Sequence, residues 1–139
     1  MGRRNCLLGL VCSITLLSQP LLVAQGPNSA RVKAIVEKGI TFLQGDLTGY
    51  NQMKTVGGPV VVGLAIYKYH DVYGISGGKN HPKVTKAKAN AVDIAQTVTS
   101  PSYKGERMYY EAGIAAILLL EVDPDGYRPQ IAALIKAIE

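Results

Sequence analysis

Arg107, Tyr109, Tyr110 and Glu111 crowd a cation, an anion and two aromatic rings into one short run, and Tyr50 and Tyr103 stand on the chain segments nearby. A guanidinium binds anions through paired hydrogen bonds, and tyrosine faces can cover an apolar chain or a developing cation. A second group is His70, Asp71 and His81, the first two adjacent and the third eleven residues on. Imidazole and carboxylate are metal-ligand types, but loop histidines without short or helical spacing read as solvated side chains, so no metal site is expected. A third group, Asp123-Pro124-Asp125-Gly126, has the composition of a turn rather than of an acid catalyst.

Other chemistries are excluded by composition. Cys6 and Cys12 are the chain's two cysteines, and both lie in an N-terminal segment that has the layout of a secretory signal. Arg3 and Arg4 give a basic start, Cys6 to Leu17 is an almost unbroken apolar run, and small residues lead to Ala24-Gln25-Gly26. The run is shorter than the roughly 20 residues that cross a bilayer, which predicts residues 1–24 as a cleaved signal, no stable membrane anchor, and a secreted or periplasmic chain. Such a chain has no thiol for a disulfide, a Cys-ligated metal or a Cys nucleophile. Removal of Arg3 and Arg4 lowers the basic residues from 15 to 13 against 10 acids, so the net charge falls from +5 to +3. That balance is too mild for nucleic acid. No Gly-rich phosphate loop joins a strand to a helix, and no cofactor is expected.

The elements that must position these residues are helices. After a linker at residues 25–29, Ser29 can cap a helix with apolar positions Val32, Ile35, Val36, Ile40 and Leu43. A Gly-rich link from Gly45 to Gly58 precedes Pro59, which suits a helix's first turn, and Val60 to about Tyr69 is apolar all round. His81-Pro82 opens a third helix with Val84, Ala87, Ala91, Ile94 and Val98 inward. A fourth, about Tyr109 to Glu121, is again apolar all round, as a helix buried on every side would be. Pro129 begins a fifth with Ile131, Leu134, Ile135 and Ile138. The five lysines between Lys68 and Lys88 are read as a solvated surface.

The faces alternate wet, dry, wet, dry, wet, and the segments repeat. An offset of 52 lays Val32 on Val84, Ile35 on Ala87 and Phe42 on Ile94, and an offset of 50 lays Gly63 on Gly113. Two helices per roughly 50 residues is a helical repeat, in which each unit buries its apolar face on its neighbours. The pattern predicts an all-α domain over residues 30–139, with apolar inner helices and amphipathic outer ones. A mid-helix glycine costs about 1 kcal/mol relative to alanine, so close helix contact is expected at both Gly63 and Gly113.

Lys38-Gly39-Ile40-Thr41-Phe42-Leu43-Gln44 followed by Gly49-Tyr50 resembles the repeat of squalene-hopene cyclases and prenyltransferases. That repeat carries a Lys/Arg-Gly pair, then an aromatic and Leu, a Gln and a Gly-x-Trp. Here Gln44 comes early, Tyr50 follows Gly49 directly, and the chain has no tryptophan. Tyr109 to Pro129 is similar to repeats of bacterial secreted proteins of the same group. The resemblance implies an α/α toroid of hairpins around a central cavity, of which this chain supplies about two and a half and lacks the C-terminal half.

The resemblance also implies a site. Inner helices run parallel in such a toroid, so Tyr50, Arg107, Tyr109, Tyr110 and Glu111 are expected at one mouth, where helix N-termini favour anions and polar groups and an isoprenoid-like or other apolar small molecule would bind. The alternative is that Glu111 complements its helix dipole while the tyrosines pack between helices. The family's Asp-x-Asp-Asp acid has no counterpart beyond Asp123-Pro-Asp125, and its zinc ligands include a cysteine that the processed chain lacks. The implied function is therefore ligand binding without a visible catalytic set, the alternative being a non-enzymatic extracytoplasmic scaffold.

Overall fold

The computed structural model describes residues 26, 29–45, 57–100 and 108–139; these form helices and their connections, with no strand among the described residues. The helices are α1 (Ala30–Gln44), α2 (Gly57–Val72), α3 (Pro82–Val98), α4 (Met108–Val122) and α5 (Arg128–Ile138), and a single 3-10 turn, Gly78–Asn80, precedes α3. Residues 1–24, expected as a cleaved signal, lie outside the described residues. None of the described helices is long and apolar enough to cross a membrane.

The helix starts follow local chemistry. Ser29 Oγ accepts the Val32 N–H at 3.3 Å, and His81 Nδ1 accepts the Lys83 N–H at 3.2 Å, with Pro82 in the first helical position of α3. Helix α2 is longer than the apolar run that announces it. Gly57 and Gly58, expected in the link, are helical and buried, and α4 comes close at Gly57, where a Cβ would stand 3.2 Å from Glu111 Cγ. At its other end α2 closes with Gly74 at φ 63, where the Ile75 N–H reaches the His70 carbonyl at 2.8 Å and the Gly74 N–H that of Asp71 at 3.3 Å. A left-handed residue at this position favours glycine and satisfies carbonyls that the helix leaves open.

Packing runs from each helix to the next in the chain, and also between α2 and α4 and between α3 and α5. The fully buried centre takes Val60 and Ile66 from α2, Val84 and Ile94 from α3, Leu118, Leu119 and Val122 from α4, and Leu134 from α5. Helices α2 and α4 are parallel neighbours. Gly57 meets Glu111 at their starts, while at their ends Tyr67 OH donates to the Glu121 carbonyl at 2.9 Å and Lys68 Nζ to the Glu121 carboxylate at 3.1 Å.

Four expectations need correction. Helix α1 buries Ile40 alone, and Ile35, expected inward, is 63% exposed. Its contact with α3 is end to start: Lys83 Nζ, in the first turn of α3, donates to the Leu43 and Gly45 carbonyls at 2.7 and 2.6 Å. That lysine, read as solvated, thus caps the C-terminal end of α1, where unpaired carbonyls attract a cation. The glycines also differ. A Cβ on Gly63 would overlap that of Ala87, so close contact holds there, but Gly113 has nothing within 4 Å of an added Cβ. Burial aligns Gly63 with Ala112 instead, one residue earlier, and one residue turns a helix face by roughly 100°. Finally, α4 is not covered on every side, because Tyr109, Tyr110, Ile117 and Leu120 are exposed.

Candidate functional site

The parallel run of α2 and α4 brings two helix N-termini together, and it is here that the sequence's densest polar-aromatic group falls. Glu111, in the first turn of α4, is only 6% exposed and lies against the Gly57 backbone of α2. The missing side chain of Gly57 makes that approach possible; Tyr110 Cε1 would be 3.7 Å from a Cβ at the same place. Tyr109 and Tyr110 themselves turn outward and are 58% and 60% exposed. Both side chains are thus more than half open to solvent, while the Tyr110 ring also reaches the start of α2. Two adjoining helix starts give this end a positive potential, which a carboxylate in the first turn complements. Tyr50, Tyr103 and Arg107 lie outside the described residues.

The opposite end of the same pair is built differently. Lys68 joins Glu121 at 3.1 Å and Asp71 at 3.3 Å, all three partly open to water, and the two carboxylates raise the Lys68 ammonium above its usual range. The turn after α4 is as its composition predicts. Asp123 Oδ1 accepts the Gly126 N–H at 3.0 Å, and exposed Asp125 pairs with Arg128 at 2.7 Å.

His70 and His81 come together, their ring centres 5.9 Å apart, but no group of three His, Cys, Asp or Glu side chains among the described residues is placed to hold a metal ion. Burial, with His70 and the Lys83 ammonium adding to it, lowers the His81 imidazole below its ordinary value. This agrees with an Nδ1 lone pair kept free to accept the Lys83 N–H. Between the end of α2 and the 3-10 turn lies an open hollow of about 350 Å³, lined by Tyr67, His70, Asp71, Ile75, Gly78 and Lys79. His70 Nδ1 is buried beside it without a hydrogen-bond partner. Reasoning from the sequence reached His70 and Asp71 but not Gly78 or Lys79. The available signal was the Gly74, Gly77 and Gly78 spacing, of which Gly74 and Gly77 have positive φ and fold the loop back onto α2.

The described fold thus defines an all-helical chain in which α2 and α4 place a carboxylate and two tyrosines at one end. No protein-family model, curated protein or solved structure matches the chain.

Proposed function

We propose that this chain is a hairpin-repeat domain of the prenyltransferase and squalene-cyclase kind, a partial α/α toroid that binds an apolar, isoprenoid-like small molecule at the end where α2 and α4 begin. One observation carries the reading: the start of α2 meets Glu111 and Tyr110 of α4, which sets a buried carboxylate at the same helix start as the more than half-exposed Tyr109 and Tyr110. Aromatic faces offer dispersion contact to an unsaturated chain, and a carboxylate at the same helix start favours a positive or polar head. The contacts of α2 with α4, and of α3 with α5, support an inner and an outer layer. The end-to-start meeting of α1 with α3 departs from a regular outer layer, so the layering proposed here begins with α2. Binding requires no chemistry of bond making, and none is assigned to the described residues.

The test is a titration with a fluorescent farnesyl analogue. Losing an aromatic contact of about 1–1.5 kcal/mol corresponds to roughly tenfold in Kd, so Tyr110→Ala is expected to weaken binding by about that factor. Glu111→Gln also weakens it, and Asp125→Asn leaves it unchanged. With helicity intact in all three, the reverse order of effects would move the site to the hollow beside His70, Asp71 and His81.

A further inference from the structure

Lys83 makes two kinds of bond at once, and together they join helix α1 to a titratable group. Its backbone N–H is held by His81 Nδ1 at 3.2 Å, the side-chain cap on the first turn of α3. Its ammonium donates to the Leu43 and Gly45 carbonyls at 2.7 and 2.6 Å, at the C-terminal end of α1 where helix carbonyls lack partners of their own. Elsewhere α1 is lightly held. It buries Ile40 alone, with Val36 and Leu43 half-buried beside it, and Lys33 lies 5.5 Å over the Tyr73 ring just beyond the end of α2.

The surroundings of His81 oppose a proton. The groups that face it among the described residues are the His70 ring of α2, its centre 5.9 Å away, and the Lys83 ammonium on its own helix. The 3-10 turn before it adds the exposed Lys79, while Asp71, next to His70, pairs with Lys68 at 3.3 Å. Among the described residues no carboxylate draws a proton onto the ring. The ring also stands at the N-terminal end of α3, where the helix dipole disfavours a cation. Once protonated, Nδ1 has no lone pair with which to accept the Lys83 N–H.

We propose that His81 is an acid-sensitive latch for α1: protonation breaks the cap on Lys83, loosens the first turn of α3, and releases the end of α1 that the same lysine holds. The Thr85 N–H still reaches the His81 carbonyl at 2.9 Å, so the start of α3 is weakened rather than lost. Release draws Ile40 out of the core but leaves α2 to α5 assembled, because the largest fully buried side chains all come from those four helices. The sign follows from linkage. Burial, His70 and Lys83 lower His81 below its ordinary 6.5 in the latched form, so the open form takes up the proton more readily and gains population as pH falls below that value.

The experiment is native-state hydrogen exchange on the full chain at about pH 7.5 and about pH 5, each corrected for the intrinsic exchange rate. Losing a cap of typical strength corresponds to about fivefold in an equilibrium, so α1 protection in the wild type is expected to fall by about that factor in acid. His81→Asn, which caps without titrating, is expected to hold α1 protection constant between the two conditions. Lys83→Met keeps the backbone N–H but not the ammonium, so its α1 amides are expected to exchange faster already at neutral pH and to show no further acid effect. His81→Ser repeats the second arm should His81→Asn lose helicity by circular dichroism. Equal α1 protection at both pH values in the wild type overturns the proposal. So does an acid effect on α1 that survives in the His81 variant, or one that survives in Lys83→Met, which would mean that acid reaches α1 by a route other than this lysine.

Discussion

His81 shows how one side chain can tie a helix start to pH. Its Nδ1 accepts the Lys83 N–H, which only an imidazole unprotonated at that nitrogen can do, while burial, His70 and Lys83 hold its pKa below the ordinary value. A lowered pKa means that the unfolded chain binds the proton more readily than the folded one. The stabilisation is therefore complete above the ordinary value of 6.5 and is lost as pH falls through the lowered folded value. Thermal unfolding followed by circular dichroism should show this loss between neutral and mildly acid pH. His81→Asn, which caps without titrating, should flatten that part of the profile, and His81→Ala should cost about 0.5–2 kcal/mol at neutral pH. The candidate site at the other end of α2 works on the same scale: Glu111 and Tyr110 adjoin in sequence, yet one is buried and the other exposed, and only the ligand titration described above separates their roles.

Among the elements, the two mid-helix glycines give opposite expectations for one substitution. Gly63→Ala drives a methyl group into Ala87 of α3, and overpacking of this sort costs about 1–3 kcal/mol, more than the helix propensity gained. Gly113→Ala fills open space on a half-covered face and should stabilise α4 by roughly 0.5–1 kcal/mol. Urea unfolding of both variants checks the pair of signs. If both substitutions stabilise, α2 and α3 are not in the close contact described. Lys83 belongs to this scale too, since it links the end of α1 to the start of α3 across a long stretch of sequence, and no periodicity in either helix announces the contact.

At the scale of the whole molecule, burial is unevenly shared. Helices α2, α3 and α4 supply most of the fully buried side chains, while α1 buries only Ile40 and rests on α2 and on the Lys83 contacts. Local stability follows the apolar surface that a segment buries, so α1 should open without the rest. Native-state hydrogen exchange is expected to show α1 amides exchanging well before those of α2 to α4. Uniform protection across all five helices would mean that α1 is an integral part of the cooperative unit.

The helical class, the cap at Ser29, the helix start at His81-Pro82, the Asp123–Gly126 turn and the approximate extent of each described helix were legible in the sequence, because they depend on side chains within a few residues of one another. The apolar character of α2 and α4 was legible as well, but not its use. A run that is apolar all round does not say which of its sides will find a neighbour, and the exposed Ile117 and Leu120 depend on where α3, α5 and α2 come to lie. The helical start at Gly57, the approach to Glu111, the different fates of Gly63 and Gly113 and the capping role of Lys83 join residues that stand far apart along the chain or differ only by one step around a helix. Local propensity carries no information about such pairs. They were decided when helices with interchangeable apolar faces settled at particular distances and rotations, since close packing rejects a single added methyl group in one place and leaves room for it in another.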